Sequence, residues 1–369
     1  MNYSILHVIT TIDLGGAEKQ LLTLAAYQRE AGLEVEVIFL KDNPALLDSF
    51  LKVGVKVDSS FAESRFWKQC LRLRKRDMKE NLVVHAHLPR AELLCALSLK
   101  SKSFIVTRHN SEHFFSKSPN ILSKLLSRFV LRKSFTSISI SKAVALFLKN
   151  SGEISSLENN SVIYYGLRDT SIAPKEMGDK KSNAIRIGTV SRLVPQKNIS
   201  LLIRALQELN SVSSSNYELS VVGVGPLKEE LQSLAISLGV GNAVSWEGQS
   251  KDVLAFYRSL DLFVLTSNYE GFGLVLLEAM SQGIPVIARG ISAIPEVMGE
   301  KHPGLVDTNN PRDLAQKIQK MLKDQEILNN CLRYQAARLQ EFSIRRTQKA
   351  YEEIYMNLLE RRNKKLKNG

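Results

Sequence analysis

The sequence predicts an α/β protein of two doubly wound domains, and three observations predict it. Short apolar, β-branched runs alternate with segments of helical spacing, the pattern of a parallel sheet covered by helices on both faces. The alternation pauses once, over a polar stretch near the middle, and then starts again from its first step. The chain has 369 residues, and at roughly 150 residues per domain two cores are the starting expectation. The predicted domains are 1–170 and 171–343, with a last helix over about 344–369 packing back on the first.

Ser4–Thr10 (SILHVIT) reads as the first strand, Gly15 and Gly16 as a turn, and Ala17–Tyr27 as a helix. Leu33–Leu40 (LEVEVIFL) alternates as a strand and Asn43–Val53 reads as a helix. Further strands are predicted at Leu82–His87, Phe104–His109 and Thr136–Ile140. Arg168–Asn183 (RDTSIAPKEMGDKKSN) is polar, has one proline and no apolar period, and reads as a linker. After it come Ile185–Ser191, Glu218–Gly223, Ala243–Trp246, Leu262–Leu265 and Pro285–Ala288, separated by Ile199–Leu209, Leu227–Leu238, Val253–Leu260 and Val275–Ser281. Arg345–Leu359 is helical in pattern and ends in a basic tail, Arg361–Lys367.

With 44% hydrophobic and 24% charged residues the chain falls outside the disordered and fibrous classes. No apolar run approaches the roughly 18–20 residues that cross a bilayer, and Met1–Thr11 lacks the basic start of a secretory signal, so a cytoplasmic location is expected. Cys70, Cys95 and Cys331 are odd in number, far apart and free of C-x-x-C spacing, which argues against disulfides and structural zinc. The net charge of +13, larger in the first half, favours polyanions: nucleic acid, an anionic membrane face or phosphorylated substrates. Nucleic acid is set aside because no RNP-like aromatic motif or zinc finger is present.

Two segments of the second half carry chemistry. In Val190–Asn198 (VSRLVPQKN) a strand gives way to a loop with Arg192 and Lys197, where ligands of open α/β sheets bind and where two cations suit an anion. Read alone, the loop equally fits two solvated charges. In Ser267–Met280 (SNYEGFGLVLLEAM), Gly271 and Gly273 precede a helix whose first amides, at Phe272, Gly273 and Leu274, suit phosphate oxygens. Glu270 lies in the loop and Glu278 in the helix, where a carboxylate can accept two hydroxyls of a ribose. Without the glycines these would read as ordinary helix acids.

In the first half, Asp13–Glu18 (DLGGAE) has only two glycines and no G-x-G-x-x-G, so a dinucleotide fingerprint is absent, although Gly16 can approach a diphosphate or an acceptor. His85, His87 and His109 fall at strand ends. They lack H-E-x-x-H spacing, so no metal site is expected, and each also reads as a satisfied core histidine.

Together these segments resemble the family 4 retaining glycosyltransferases of the GT-B fold, which has two facing Rossmann-like domains with a cleft between them. The markers are Gly15–Glu18 (GGAE), His85–Ala91 (HAHLPRA), Thr107–Asn110 (TRHN), Ser191–Asn198 (SRLVPQKN), Val221–Leu231 (VVGVGPLKEEL), Glu270–Ala288 (EGFGLVLLEAMSQGIPVIA) and Ala293–Val297 (AIPEV). The resemblance implies a metal-independent, cofactor-free hexosyltransferase that moves a sugar from a UDP- or GDP-sugar to a glycan or lipid-linked acceptor, in surface polysaccharide or lipopolysaccharide biosynthesis. It implies that Arg192 and Lys197 neutralise the donor diphosphate, that the Phe272–Leu274 amides contact sugar or phosphate, and that Glu278 holds the ribose. Glu270 would touch hydroxyls of the transferred sugar, His109 would line the reacting centre from the opposing domain, and Gly16 would approach the diphosphate or acceptor. Departure and attack on one face, with the leaving phosphate taking the acceptor proton, would retain the anomeric configuration. Two departures from the family pattern, Tyr165-Gly166 for Asn-Gly and Arg289–Ile294 (RGISAI) for a glycine-rich turn, bear on donor identity.

Arg65–Lys79 can place Arg65, Lys68, Arg72, Arg76 and Lys79 on one helical face, and Phe114–Lys133 is a second mixed apolar and basic surface. Both suit anionic lipid at about 1 kcal/mol per cation, and both equally fit a solvated surface. Two other functions remain open at this stage. One is a nucleotide-sugar epimerase or hydrolase on the same fold, which product analysis separates. The other is a non-catalytic interaction protein, which the presence of Arg192, Lys197, Glu270 and Glu278 disfavours and nucleotide binding separates.

Overall fold

The computed structural model describes all residues except 1–2, 42–43, 77–80, 116–117, 173–183, 213–215, 251 and 368–369. Lys79 and most of the predicted linker therefore lie outside the described residues. The chain divides into two compact units, residues 1–168 with 342–369, and residues 169–341.

The first unit holds β1 (Ser4–Ile9), β2 (Glu34–Phe39), β3 (Lys56–Asp58), β4 (Leu82–His87), β5 (Phe104–Arg108), β6 (Ser137–Ser139) and β7 (Asn160–Val162). They form one parallel sheet in the order β3-β2-β1-β4-β5-β6-β7. The central strands are buried on both faces because helices cover both, so they read as short runs rich in apolar residues, interrupted by His7, His85, His87 and Thr107. The order reverses at β1 and β4, and the crevice beyond their carboxyl ends is where such sheets bind ligands.

The last helix, Ile344–Lys367, packs Tyr351, Tyr355, Leu358 and Leu359 against Ile5, Val83, Ile105 and Ile138 of this sheet. Its entry is tied by backbone bonds from Leu167 N to Phe342 O and from Ile344 N to Leu167 O, both 2.7 Å. A Cβ on Gly166 would lie 2.6 Å from Ile344 Cα, so only glycine admits this approach. The helix runs through the basic tail, and Arg362 donates to the carbonyls of Leu82 and Ser103 at 2.6 and 2.5 Å. The first basic face is shorter than expected. Its helix is Phe66–Lys75, and Arg76, beyond its end, pairs with Glu36 and Asp58.

On the opposite face of the sheet Arg108 lies between two buried carboxylates, with Nε 3.0 Å from Glu92 and Nη1 3.5 Å from Glu153. One guanidinium cannot neutralise both. Burial pushes the Glu92 carboxyl up to about 7, against the pull of Arg108 and with the push of Glu153. Its folded pKa thus exceeds the ordinary value of 4.5. Between the two values the unfolded chain gives up a proton that the folded chain keeps, so stability falls as pH rises through that window. Denaturant titrations of wild type and Glu92→Gln should show wild type losing on the order of 2 kcal/mol relative to the variant between pH 5 and 8. A constant difference across that range would refute the assignment.

The second unit holds β8 (Ile185–Val190), β9 (Tyr217–Val222), β10 (Val244–Gly248), β11 (Leu262–Leu265), β12 (Val286–Arg289) and β13 (Leu305–Val306), in the parallel order β10-β9-β8-β11-β12-β13. This repeats the order of the first sheet, and the reversal falls at β8 and β11. Helices Ile199–Val212 and Pro311–Lys323 close one apolar core against it. Among the described residues no helix is long and apolar enough to cross a membrane.

Candidate functional site

In the second unit the loops leaving β8 and β11 meet at the order reversal. The β8 loop passes Arg192, makes a short turn over Pro195–Lys197, and reaches Asn198, whose backbone is left-handed. The Thr266 hydroxyl, just beyond β11, donates to the carbonyls of Lys197 and Asn198 at 3.1 and 2.9 Å, and Asn268 N donates to Gln196 O at 2.7 Å. These bonds bring Lys197 Nζ to 2.6 Å from Glu270 Oε1, with both side chains largely buried. Ser267 Oγ donates to the same oxygen at 2.6 Å, and Ser292 Oγ to the Glu270 carbonyl at 2.7 Å. Arg192 is exposed and lies 3.4 Å from Gln196 Oε1.

Gly273 caps the helix Leu274–Ser281 with φ of +92°, which requires glycine. The first two amides of this helix, at Leu274 and Val275, have no intrahelical acceptor, and they start four residues after Glu270. Phe272 is buried, so its side chain anchors the turn. Glu278, one turn further on, is half-buried and accepts from the buried Tyr257 hydroxyl at 2.9 Å. The structure thus gathers Lys197, Glu270, Gly273, Leu274 and Glu278 around one end of the second sheet, with Arg192 on the loop above. This end can hold an anion, with a carboxylate on either side for hydroxyl groups.

In the first unit Gly15 caps the helix Gly16–Glu30 and Gly16 opens it, with nothing within 4 Å of where a Cβ would stand. Glu18 lies in the first turn and accepts from the Thr11 hydroxyl at 2.8 Å. His109 follows β5 and has both ring nitrogens engaged: Nδ1 lies 2.5 Å from the Tyr165 hydroxyl and Nε2 3.1 Å from His87 Nδ1. Burial first, and the Arg108 charge second, lower its pKa to about 3, so it is neutral. The ligand atoms of His7, His85 and His87 lie within 4.8 Å of one another, a spacing a metal ion could use. All six of their ring nitrogens already have partners: His87 and Gln28 for His7, Tyr355 and Thr107 for His85, His109 and His7 for His87. A metal would have to break that network.

The two halves match two family descriptions: Glycosyltransferase Family 4 over residues 14–168 and Glycosyl transferases group 1 over residues 174–338. The chain belongs to the family 4 glycosyltransferases of the GT-B fold. Among relatives, an uncharacterized glycosyltransferase of Methanocaldococcus jannaschii is 26% identical over 66% of each chain. The N-acetyl-alpha-D-glucosaminyl L-malate synthase of Bacillus anthracis is 27% identical over 76% of each. The fold is similar to that of Anabaena HepE solved with UDP and glucose, with a TM-score of 0.81 and 20% identity over 96% of this chain and 100% of that one.

Several residues of this glycosyltransferase's site escape the motif reading. Ser267 lies three residues before Glu270, and its hydroxyl bond to that carboxylate shows only in the fold. Tyr257 lies in the short helix Val253–Arg258, which carries no signature. Arg289, within the departing RGISAI turn, is buried and donates to Asn268 Oδ1 at 2.8 Å, so it braces the loop from behind. Tyr165, the other departure, supplies the hydroxyl that meets His109.

Proposed function

We propose that this glycosyltransferase is a retaining, metal-independent enzyme that moves a sugar from a UDP- or GDP-sugar to a glycan or lipid-linked acceptor in surface polysaccharide or lipopolysaccharide assembly. The observation that carries the reading is the Lys197–Glu270 pair beside the start of Leu274–Ser281, at the order reversal of the second sheet. In this reading Lys197 and Arg192 supply two positive charges to the diphosphate, the charge a metal would otherwise bring. The first helix amides meet phosphate or sugar oxygens. Glu278, oriented by Tyr257, accepts from the ribose hydroxyls. Glu270, already held by Lys197 and Ser267, accepts from a hydroxyl of the transferred sugar. The bond from the anomeric carbon to the diphosphate oxygen breaks, that oxygen takes the acceptor proton, and the acceptor oxygen bonds on the same face.

A membrane-associated acceptor is supported by the first unit's surface. Trp67 and Leu71 stand exposed on Phe66–Lys75 with Lys68, Arg72 and Lys75, and Ile121, Leu122 and Leu125 are exposed on Asn120–Lys133. Phe114, by contrast, is buried beneath Arg108. This surface suits the anionic inner face of a membrane.

The test begins with thermal shifts against UDP, GDP and ADP, since HepE was solved with UDP. A ligand at 100 times its Kd should add about 2.7 kcal/mol of stability. The matching sugar nucleotide is then incubated with a lipid-linked acceptor in anionic vesicles, with and without a chelator. We expect an α-linked product from an α-linked donor, unaffected by the chelator, and protein that pellets with the vesicles at low salt. Inversion, chelator sensitivity, release of free sugar, or no nucleotide shift would each overturn the corresponding part.

A further inference from the structure

Behind His109 runs a continuous line of hydrogen bonds, part-buried at His109 and buried beyond it. From Tyr165 it passes to His109 Nδ1, from His109 Nε2 to His87 Nδ1 at 3.1 Å, and from His87 Nε2 to His7 Nδ1 at 3.0 Å. From His7 Nε2 it reaches Gln28 Oε1 at 2.9 Å, and from Gln28 Nε2 it reaches Gln348 Oε1 at 3.0 Å. His7 and His87 lie on neighbouring central strands, Gln28 on the first helix and Gln348 on the last.

A neutral imidazole has one donor and one acceptor, so the direction of one bond fixes the next. The Gln28 amide sets it. In this structure its NH2 group faces Gln348 Oε1 and lies beside the Tyr355 hydroxyl, and its single oxygen faces His7. With the amide in that orientation His7 carries its proton on Nε2. It follows that His87 and His109 do too, and that Tyr165 donates to His109 Nδ1. Reversing one ring alone would set donor against donor or acceptor against acceptor in a dry site, so the line turns over as a unit or not at all. His85 stands beside the line in the same sense, accepting from Tyr355 on Nδ1 and donating to Thr107 from Nε2.

We propose that this line holds His109 as the Nε2–H tautomer, with Nδ1 an acceptor that Tyr165 fills here and that a substrate hydroxyl takes by displacing it, and that Gln28 and Gln348 are positioning residues for it. The Tyr165 hydroxyl occupies that acceptor in this structure and marks the chemistry recognised: an O–H group, and neither a phosphate oxygen nor a carbonyl. That the hydroxyl belongs to a sugar rests on the function proposed above; the tautomer does not. Because Gln348 rides on the helix that returns from the second unit's end of the chain, the seating of that helix and the state of His109 are linked.

The test uses the full chain with 15N in its histidine rings and no nucleotide present, so its outcome is independent of donor binding. Two-bond 1H–15N correlations at neutral pH distinguish a protonated Nε2 from a protonated Nδ1, and single His→Gln variants assign the six histidines. We expect His7, His87 and His109 all to show the Nε2–H pattern. Gln28→Met, which removes the acceptor, should replace the His109 pattern by a mixed one, and Gln28→Glu, which restores an oxygen, should bring it back. A protonated Nδ1 on His109 in the wild type overturns the proposal whether or not the variants fold. So does an unchanged His109 in a folded Gln28→Met protein.

Discussion

Replacing Lys197 by methionine is expected to abolish donor binding and also to cost about 3 kcal/mol of folding stability, because breaking a buried pair leaves its partner's charge uncompensated. The partner is Glu270, whose carboxylate is 2.6 Å away and, among the described residues, keeps the Ser267 hydroxyl as its side-chain donor once the ammonium is gone. Glu270→Gln should cost less, since an amide oxygen can still accept from Ser267 and from Lys197. The double variant, Lys197→Met with Glu270→Gln, removes both charges and should recover about 2 kcal/mol relative to the sum of the singles. Donor affinity should not recover, since the diphosphate still lacks its cation, and turnover should stay about 10²–10³-fold down. Denaturant melts and nucleotide calorimetry on the three variants give both quantities. Recovery of binding in the double variant would mean that Lys197 serves only to neutralise Glu270.

This pair also shows where the sequence could and could not be read. Lys197 and Glu270 each stand out by position, on a loop after an apolar strand, yet their bond spans 73 residues and exists because β8 and β11 are neighbours. Strand period alone gives no such adjacency. The central strands were legible because burial on both faces makes them short runs rich in apolar residues. β3 (KVD), β7 (NSV) and β13 (LV) were not: each is an edge strand of two or three residues, too short to show a period. For the histidines, H-A-H put His85 and His87 on one face of a strand, a spacing of two. Their partners come from other elements, with Gln28 and Gln348 separated by 320 positions. The basic face on Arg65–Lys79 is shortened for a similar reason, since Glu36 and Asp58 claim Arg76 from other strands.

Gly223→Ala is expected to be the most destabilising single-methyl change in the second unit. Gly223 follows β9 with φ of +142°, a region that residues with a Cβ rarely adopt, and a Cβ there would stand 1.8 Å from the Ser191 carbonyl oxygen. Ser191 cannot step aside cheaply. Its amide is bonded to Val222 O at 2.9 Å, and Gly223 N is bonded to Gly248 O at 2.7 Å, so β8, β9 and β10 would all shift. Backbone strain and overpacking of about 1–3 kcal/mol each give a combined cost of about 4 kcal/mol. Because Ser191 leads directly into Arg192 and the turn that aims Lys197, nucleotide binding should weaken as well, although Gly223 touches neither cation. Gly16→Ala is the matched control: with open space around its Cβ position it should leave stability within about 1 kcal/mol. Any effect of that change should fall on substrate approach. Denaturant melts and nucleotide titrations of the two alanine variants separate a glycine required by packing from one required by a ligand, and equal melts for Gly223→Ala and wild type would refute the close approach of β9 to Ser191.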